Sequence, residues 1–423
     1  MKKNMRMSQS LTDSRFSGWG WSMIFFCMII YFLYAALTTD VQNLLPDAFA
    51  AHYGLDAHVL LAYATPASIV GIIGGFIFSR MLLKISTRIV GALTLLVSGA
   101  AFALWGLCST VLLYVLFLVM VCFFVSAFGF VAPTIMTDWF PRKKGVALGW
   151  ATIGAPCSCA FFIPAFSAML EQIGFKVAFV IVGVAIMIVG AISLVWVKET
   201  PERVGRYPDN MEPQLAEKLG ADLQIETDDT EKITVRDVLK KRNAWLISIG
   251  FGLIWMVMVG VASQFVPRMM SVGYTHTQAL HFLTITSMVG IPGSYLWGWI
   301  DGKVGPKIAT IAYAANFALA MLFLNIGSNI VIVWVGCVMV GLGLGGVLNR
   351  IPSLIITYFG KAGFKQANSV ITTISSFIRV LAFGIMAFLL TISQGNYTLP
   401  YTVFIVAEVV GIILLLLLKK RTE

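Results

Sequence analysis

The sequence predicts an all-α membrane protein of twelve spanning helices in two six-helix halves, with both chain ends on the cytoplasmic side. Three observations predict it. Apolar runs of spanning length recur along the whole chain. The basic residues fall in alternate connections. The second half repeats landmarks of the first at a fixed offset.

The apolar runs come first. The 423-residue chain is 58% hydrophobic and only 12% charged. Soluble domains run nearer a quarter charged, so little of this surface faces water. Runs of spanning length lie near 19–38, 58–79, 89–108, 111–136, 145–168, 175–197, 244–266, 280–300, 307–325, 329–350, 366–391 and 399–418. Backbone polar groups in lipid must be satisfied within the segment, and continuous apolar runs of about 20 residues do this as helices. The first run follows Lys2, Lys3, Arg6 and Arg15, but it is longer than a signal-peptide core and is expected to stay as a span.

The charges come second. The only long polar stretch is 198–243, with Pro201, Pro208, Pro213 and the acids Glu226, Asp228, Asp229 and Glu231. It divides the chain into units 1–197 and 244–423, and a short amphipathic helix is expected near Val235–Leu239. The two ends, this linker and the even-numbered connections hold 27 of the 30 basic residues. The odd-numbered connections hold only Lys176 and Arg268, and Arg379 lies within a span. Basic residues are retained in the cytoplasm, which puts the linker and both ends there. The net charge of +10 is thus a matter of topology, and no nucleic-acid partner is implied.

The repeat comes third. A shift of 219 residues places Gly71 and Gly74 on Gly290 and Gly293, and Lys84 and Arg88 on Lys303 and Lys307. The same shift places Pro133 on Pro352, Trp139 on Tyr358, Phe140 on Phe359 and Arg142 on Lys361. Six spans return the chain to its starting side, so the halves share one orientation and are related by an axis along the membrane normal. Such halves hold a substrate site between them near the midplane.

These features resemble the major facilitator superfamily. The run from Gly298 through Asp301, Gly302, Lys303 and Gly305 to Lys307 is similar to that family's Gly-x-x-x-Asp-Arg-x-Gly-Arg-Arg loop motif, with the acid one place out of register. The first copy keeps Lys84 and Arg88, has Ser86 for the glycine and carries no acid. The resemblance marks Lys84, Arg88, Arg142, Asp301, Lys303 and Lys307 as gating residues. The stretch from Asp138 to Pro156, with its aromatic-Phe-Pro-basic run before Gly145 and Gly149, resembles the monocarboxylate porter and oxalate–formate antiporter branch. That branch implies secondary transport of a small organic anion by alternating access, as proton symport or anion exchange. Its oxalate carriers use a basic residue in the eighth span, where His281 to Ile300 here has none. A monocarboxylate is the expected substrate, and a bacterial inner (plasma) membrane the expected location.

Ionisable residues inside spans are costly and mark sites by default. Arg379 ends a polar stripe of Lys365, Asn368, Thr372 and Ser375 at helical spacing. It suits a substrate carboxylate through its planar fork, or it forms a structural pair with Glu408. Glu408 is otherwise a coupling group or a residue turned to the protein interior. Tyr31 and Tyr34 share a face of the first span and offer hydroxyls to an anion, or serve as packing. Asp40 is expected as an exposed outer acid, or as a coupling acid. Trp255 and Gln264 complete the candidate substrate contacts on the seventh span. Arg350 is expected at lipid headgroups or at an inner gate. Gly341 with Gly345, Gly71 with Gly75, and Gly145 with Gly149 are expected as packing and gating surfaces that slide.

The six cysteines all lie in apolar runs, so neither a disulfide framework nor a metal or cofactor site is expected. No phosphate-binding Gly-rich loop occurs, so no ATPase subunit is implied. The histidines form no catalytic constellation, which disfavours an enzyme. Efflux of amphipathic compounds and a non-transporting membrane sensor remain as alternatives. Transported amphiphiles would need a greasy pocket, and a sensor would bind an anion without passing it.

Overall fold

The computed structural model describes residues 16–54, 56–82, 84–140, 144–210, 234–326, 329–347 and 350–419. Arg142 lies outside these residues, as do the side chains of Lys361 and Lys365.

Among the described residues all regular structure is helical. The long helices are α1 (Gly18–Asn43), α2 (Ala57–Met81), α3 (Thr87–Trp105), α4 (Val111–Met136), α5 (Ala147–Gln172) and α6 (Phe175–Trp196), then α7 (Arg242–Ser263), α8 (His276–Val304), α9 (Pro306–Ile326), α10 (Ile330–Gly346), α11 (Gln366–Ile392) and α12 (Thr398–Leu416). By length and composition ten of these cross a membrane alone, and α10 does so together with the bent segment Arg350–Phe359. The eighth, α8, is a 29-residue helix of lower apolarity. Large apolar side chains stand exposed around the outside, Leu112 and Val195 at 79% and 76% among them. In a chain so poor in charge, such a surface faces lipid.

Local chemistry sets the helix ends. Ser17 accepts from the Gly20 amide at 3.1 Å and opens α1. Thr275 and Gln278 form a reciprocal capping box at the start of α8. Gly174 and Gly305, at φ of 88° and 84°, make the sharp turns into α6 and α9. The linker helix falls at Val235–Lys240, where the sequence placed it. Thr234 caps it, and the hydroxyl and amide that Thr234 donates to Asp237 hold that carboxyl below its usual range.

Helices pack closely where side chains are small. A Cβ on Gly341 would run into the Thr286 carbonyl, and one on Gly345 into the Gly290 carbonyl. A Cβ on Gly71 would sit 2.9 Å from the Cys122 carbonyl oxygen. These contacts join α10 to α8 and α2 to α4. The expectation of packing surfaces holds for these glycines, which fit helices together within the first six or the last six. Gly149 meets nothing within 4 Å.

Candidate functional site

The face that carries the linker is the linker face below, and the opposite one the far face. Helices α1, α7 and α11 all start at the linker face. Counting along each helix puts Tyr31, Trp255 and Arg379 near mid-depth.

Arg379 is half-buried on α11, with its guanidinium carbon 4.9 Å from the centre of the Trp255 ring. It also lies within electrostatic reach of Cys122 on α4. One turn further on, α11 crosses α2: Thr65 donates to the Val380 carbonyl at 3.1 Å and accepts from the Gly384 amide at 2.7 Å. Arg379 therefore stands where the last six helices meet the first six. Among the described residues its Nε finds no hydrogen-bond partner and it makes no ion pair. A cation stacked on an indole and lacking an acid can accept an anion from solution.

The pair with Glu408 is not formed. Glu408 is fully buried on α12, which packs on α7 and α9, and neither carboxylate oxygen has a partner among the described residues. The rest of the stripe divides. Thr372 donates to Asn368 within α11 at 3.2 Å. Ser375 is buried and donates to the Ser248 carbonyl of α7 at 2.9 Å, so it fastens α11 to α7 and does not face the gap. Tyr31 is buried and Tyr34 half-buried, the latter's ring edge 4.0 Å from where a Gly129 Cβ would lie on α4.

The far face is closed by hydrogen bonds. Asn43 donates to the Ala262 carbonyl at 2.8 Å and accepts from the Val266 amide at 3.1 Å. Gln264 donates to the Gln42 carbonyl at 3.3 Å and accepts from Tyr397 at 2.9 Å. Gln264 is thus occupied in this latch, not in the mid-depth site. Asn43 and Ala262 are 219 residues apart, so each bonds its own counterpart in the repeat. Two counterparts that touch must lie on the axis relating the halves. His276 and Glu171 add a contact at 3.6 Å between the start of α8 and the end of α5.

Asp40 is not the exposed acid expected from sequence. It is 4% exposed and accepts from Ser158 at 2.6 Å, where a π-turn over Ser158–Phe162 interrupts α5. The extra residue in such a turn redirects the side chain, and here it turns Ser158 to Asp40.

At the linker face Arg350 is 1% exposed, which corrects the headgroup expectation. It pairs with Asp301 at 3.3 Å, and Ser353 donates to the other carboxylate oxygen at 2.6 Å. The displaced acid of the loop motif thus ties α8 to the segment after α10. Lys307 donates to the Leu416 and Leu418 carbonyls and caps α12. Lys303 stands 4.0 Å over the Trp299 ring, and Lys84 is exposed. Arg88 is half-buried and its Nε has no partner in the structure. Among the described residues no group of acids, histidines and cysteines could hold a metal ion.

Residues 16–383 match the model of the Major Facilitator Superfamily. The chain belongs to this superfamily. A hexose-6-phosphate:phosphate antiporter of Salmonella typhimurium is 25% identical over 217 residues, covering 48% of this chain and 45% of that protein. The match therefore spans less than half the length of this curated relative. Among solved structures, a bacterial homologue of the human lysosomal transporter Spinster, inward-facing and unoccupied, superposes with a TM-score of 0.65. Its identity is 13%, with 95% of each chain covered. The same homologue, inward-facing and occupied, gives 0.61 at 15% identity over 93% of this chain and 94% of that one. At these identities the likeness is one of fold.

Proposed function

We propose that this facilitator carries a small organic anion, a monocarboxylate, through the bacterial plasma membrane by alternating access. One observation carries the reading: Arg379 lies at mid-depth between the first six and last six helices and has no acid partner among the described residues. A single guanidinium offers two parallel N–H donors to one carboxylate and balances one charge. Trp255 orients it, and Thr372, Tyr31 and Tyr34 are the further polar groups assigned to the substrate in this reading.

Units 1–197 and 244–423 rock about the axis through Asn43 and Ala262, with residues 198–243 as the cytoplasmic tether. The latch of Asn43 and Gln264 closes the outside while the substrate exchanges with the cytoplasm. Asp301, Lys303, Lys307, Lys84, Arg88 and Arg142 act at the inner gate. Coupling is to a proton or to a second anion. Asp40 is the better-placed proton carrier, because it sits beside the latch and its surroundings change when the outside opens. Glu408 is the second candidate.

A phosphorylated sugar exchanged for phosphate is the second reading, and the antiporter relative favours it. A phosphate dianion asks for more than one cation, and among the described residues Arg379 is the one cation at this depth.

The test is ligand-induced thermal stabilisation of wild type and Arg379→Gln with lactate, formate, oxalate, glucose 6-phosphate, phosphate and a bulky amphiphile, tetraphenylphosphonium. A monocarboxylate that raises the melting temperature of wild type and not of the variant supports the reading. Stabilisation by glucose 6-phosphate alone moves the assignment to the second. Stabilisation only by bulky amphiphiles returns the protein to efflux.

A further inference from the structure

A cavity of about 350 Å³ opens at the linker face, away from Arg379, lined by Lys241, Arg242, Asn243, Tyr358, Phe359 and Lys419. Three of these six residues are cationic and none is acidic. Asp237 lies within electrostatic reach of Lys241, and its carboxylate oxygen accepts from the Thr234 amide and hydroxyl. None of the three cations forms an ion pair among the described residues. The cavity therefore gathers three cations over an aromatic floor, with the single acid Asp237 within reach among the described residues.

The repeat sharpens the contrast. Tyr358 and Phe359 correspond to Trp139 and Phe140 at the offset of 219. In the first half the Phe16 ring covers Phe140 at 4.8 Å, and Trp139 donates to the Lys198 carbonyl at 2.8 Å. In the second half Lys241 stands 5.6 Å over the Phe359 ring, and the space beside it is open. One half fills the position with its own side chains, and the other leaves a basic hollow.

Its level in the membrane identifies the occupant. Lys241 and Arg242 mark the start of α7, and Lys419 follows the end of α12. Next to them Trp245, Leu416 and Leu417 are exposed at 45%, 54% and 46%. The hollow thus has cations at the water boundary and apolar residues directly below. That is the profile of a headgroup with acyl chains, and a free anion has no use for the apolar wall. Asn243 donates its side-chain amide to the Lys419 carbonyl at 2.9 Å and holds the tail at the rim.

We propose that this cavity binds the phosphate of an anionic phospholipid from the linker-face leaflet. Lys241, Arg242 and Lys419 contact the phosphate, Tyr358 and Phe359 underlie the glycerol, and the acyl chains follow Trp245 and Leu416. The lipid thereby ties the start of α7 to the end of α12.

The experiment is a thermal shift of the full chain in detergent, with phosphatidylglycerol, phosphatidylcholine or inorganic phosphate added at equal concentration. Wild type gains about 4 °C or more from phosphatidylglycerol and little from the other two. The variant Lys241→Gln/Arg242→Gln/Lys419→Gln loses that gain. A charge-matched control, Arg80→Gln/Lys176→Gln/Arg206→Gln, keeps it. In Lys419→Gln alone, a tail substitution that guards against misfolding, half-maximal stabilisation needs several-fold more lipid. A gain that persists in the pocket variant, disappears equally in the control or is matched by inorganic phosphate overturns the proposal. So does an unchanged lipid requirement in Lys419→Gln.

Discussion

Arg379 is one charge placed where the membrane makes charge expensive, and its surroundings leave that charge uncompensated. The stack on Trp255 orients it and supplies no counterion. Replacing it by Gln keeps much of the shape and removes the charge-assisted hydrogen bonds, worth about 1.5–3 kcal/mol to a bound anion. Affinity is expected to fall about tenfold to a hundredfold, read by isothermal titration with the stabilising carboxylate. Asn43 is the second residue whose loss is informative, because its amide serves both sides of the outer latch. Asn43→Ala leaves the Ala262 carbonyl and the Val266 amide unpaired at a cost of about 1–3 kcal/mol. The expected result is a shift toward the outward-open form, seen as faster modification of the buried Cys159 by an impermeant maleimide added outside. Unchanged labelling would remove Asn43 from the latch. The sequence showed Arg379 because a charge in an apolar run stands out. It could not show that Glu408 lies elsewhere, because which face of α12 is buried depends on its neighbours α7 and α9.

At the scale of the helix, the sequence located the spans well and their uses less well. Runs of apolar residues define length, so the spans fall close to the expected ranges and the short linker helix appears in its place. The partner of a polar side chain is a tertiary matter, and there the sequence was silent. Ser375 shared a helical stripe with Arg379 yet bonds α7. Asp40 looked like a loop acid yet meets Ser158, brought round by the π-turn of α5. Arg350 looked interfacial yet is buried against Asp301. Asp301→Asn leaves Arg350 as an uncompensated charge inside the helix bundle and is expected to cost about 3 kcal/mol. Its melting temperature in detergent should fall by several degrees, and Arg350→Met together with Asp301→Asn should recover part of the loss. Gly341→Leu forces α10 away from α8 because the added side chain collides with the Thr286 carbonyl. That variant is expected to aggregate on extraction, as size-exclusion chromatography would show.

At the scale of the whole molecule, the offset of 219 found in two loops reappears as a hydrogen bond between the counterparts Asn43 and Ala262. A gapless offset in the sequence says which residues are counterparts. The departures from the repeat are informative too. Phe16 fills a place in the first half that stands open and basic in the second. The described hydrogen bonds between the first six and last six helices lie at the far face or where α2 crosses α11.

Uptake into proteoliposomes tests the central claim most directly. Radiolabelled lactate and glucose 6-phosphate are offered to wild type and to Arg379→Gln, with equal protein insertion verified. The account predicts saturable lactate uptake by wild type, its near loss in the variant and no uptake of glucose 6-phosphate. Lactate uptake that survives in Arg379→Gln, or glucose 6-phosphate uptake without any carboxylate uptake, would contradict it.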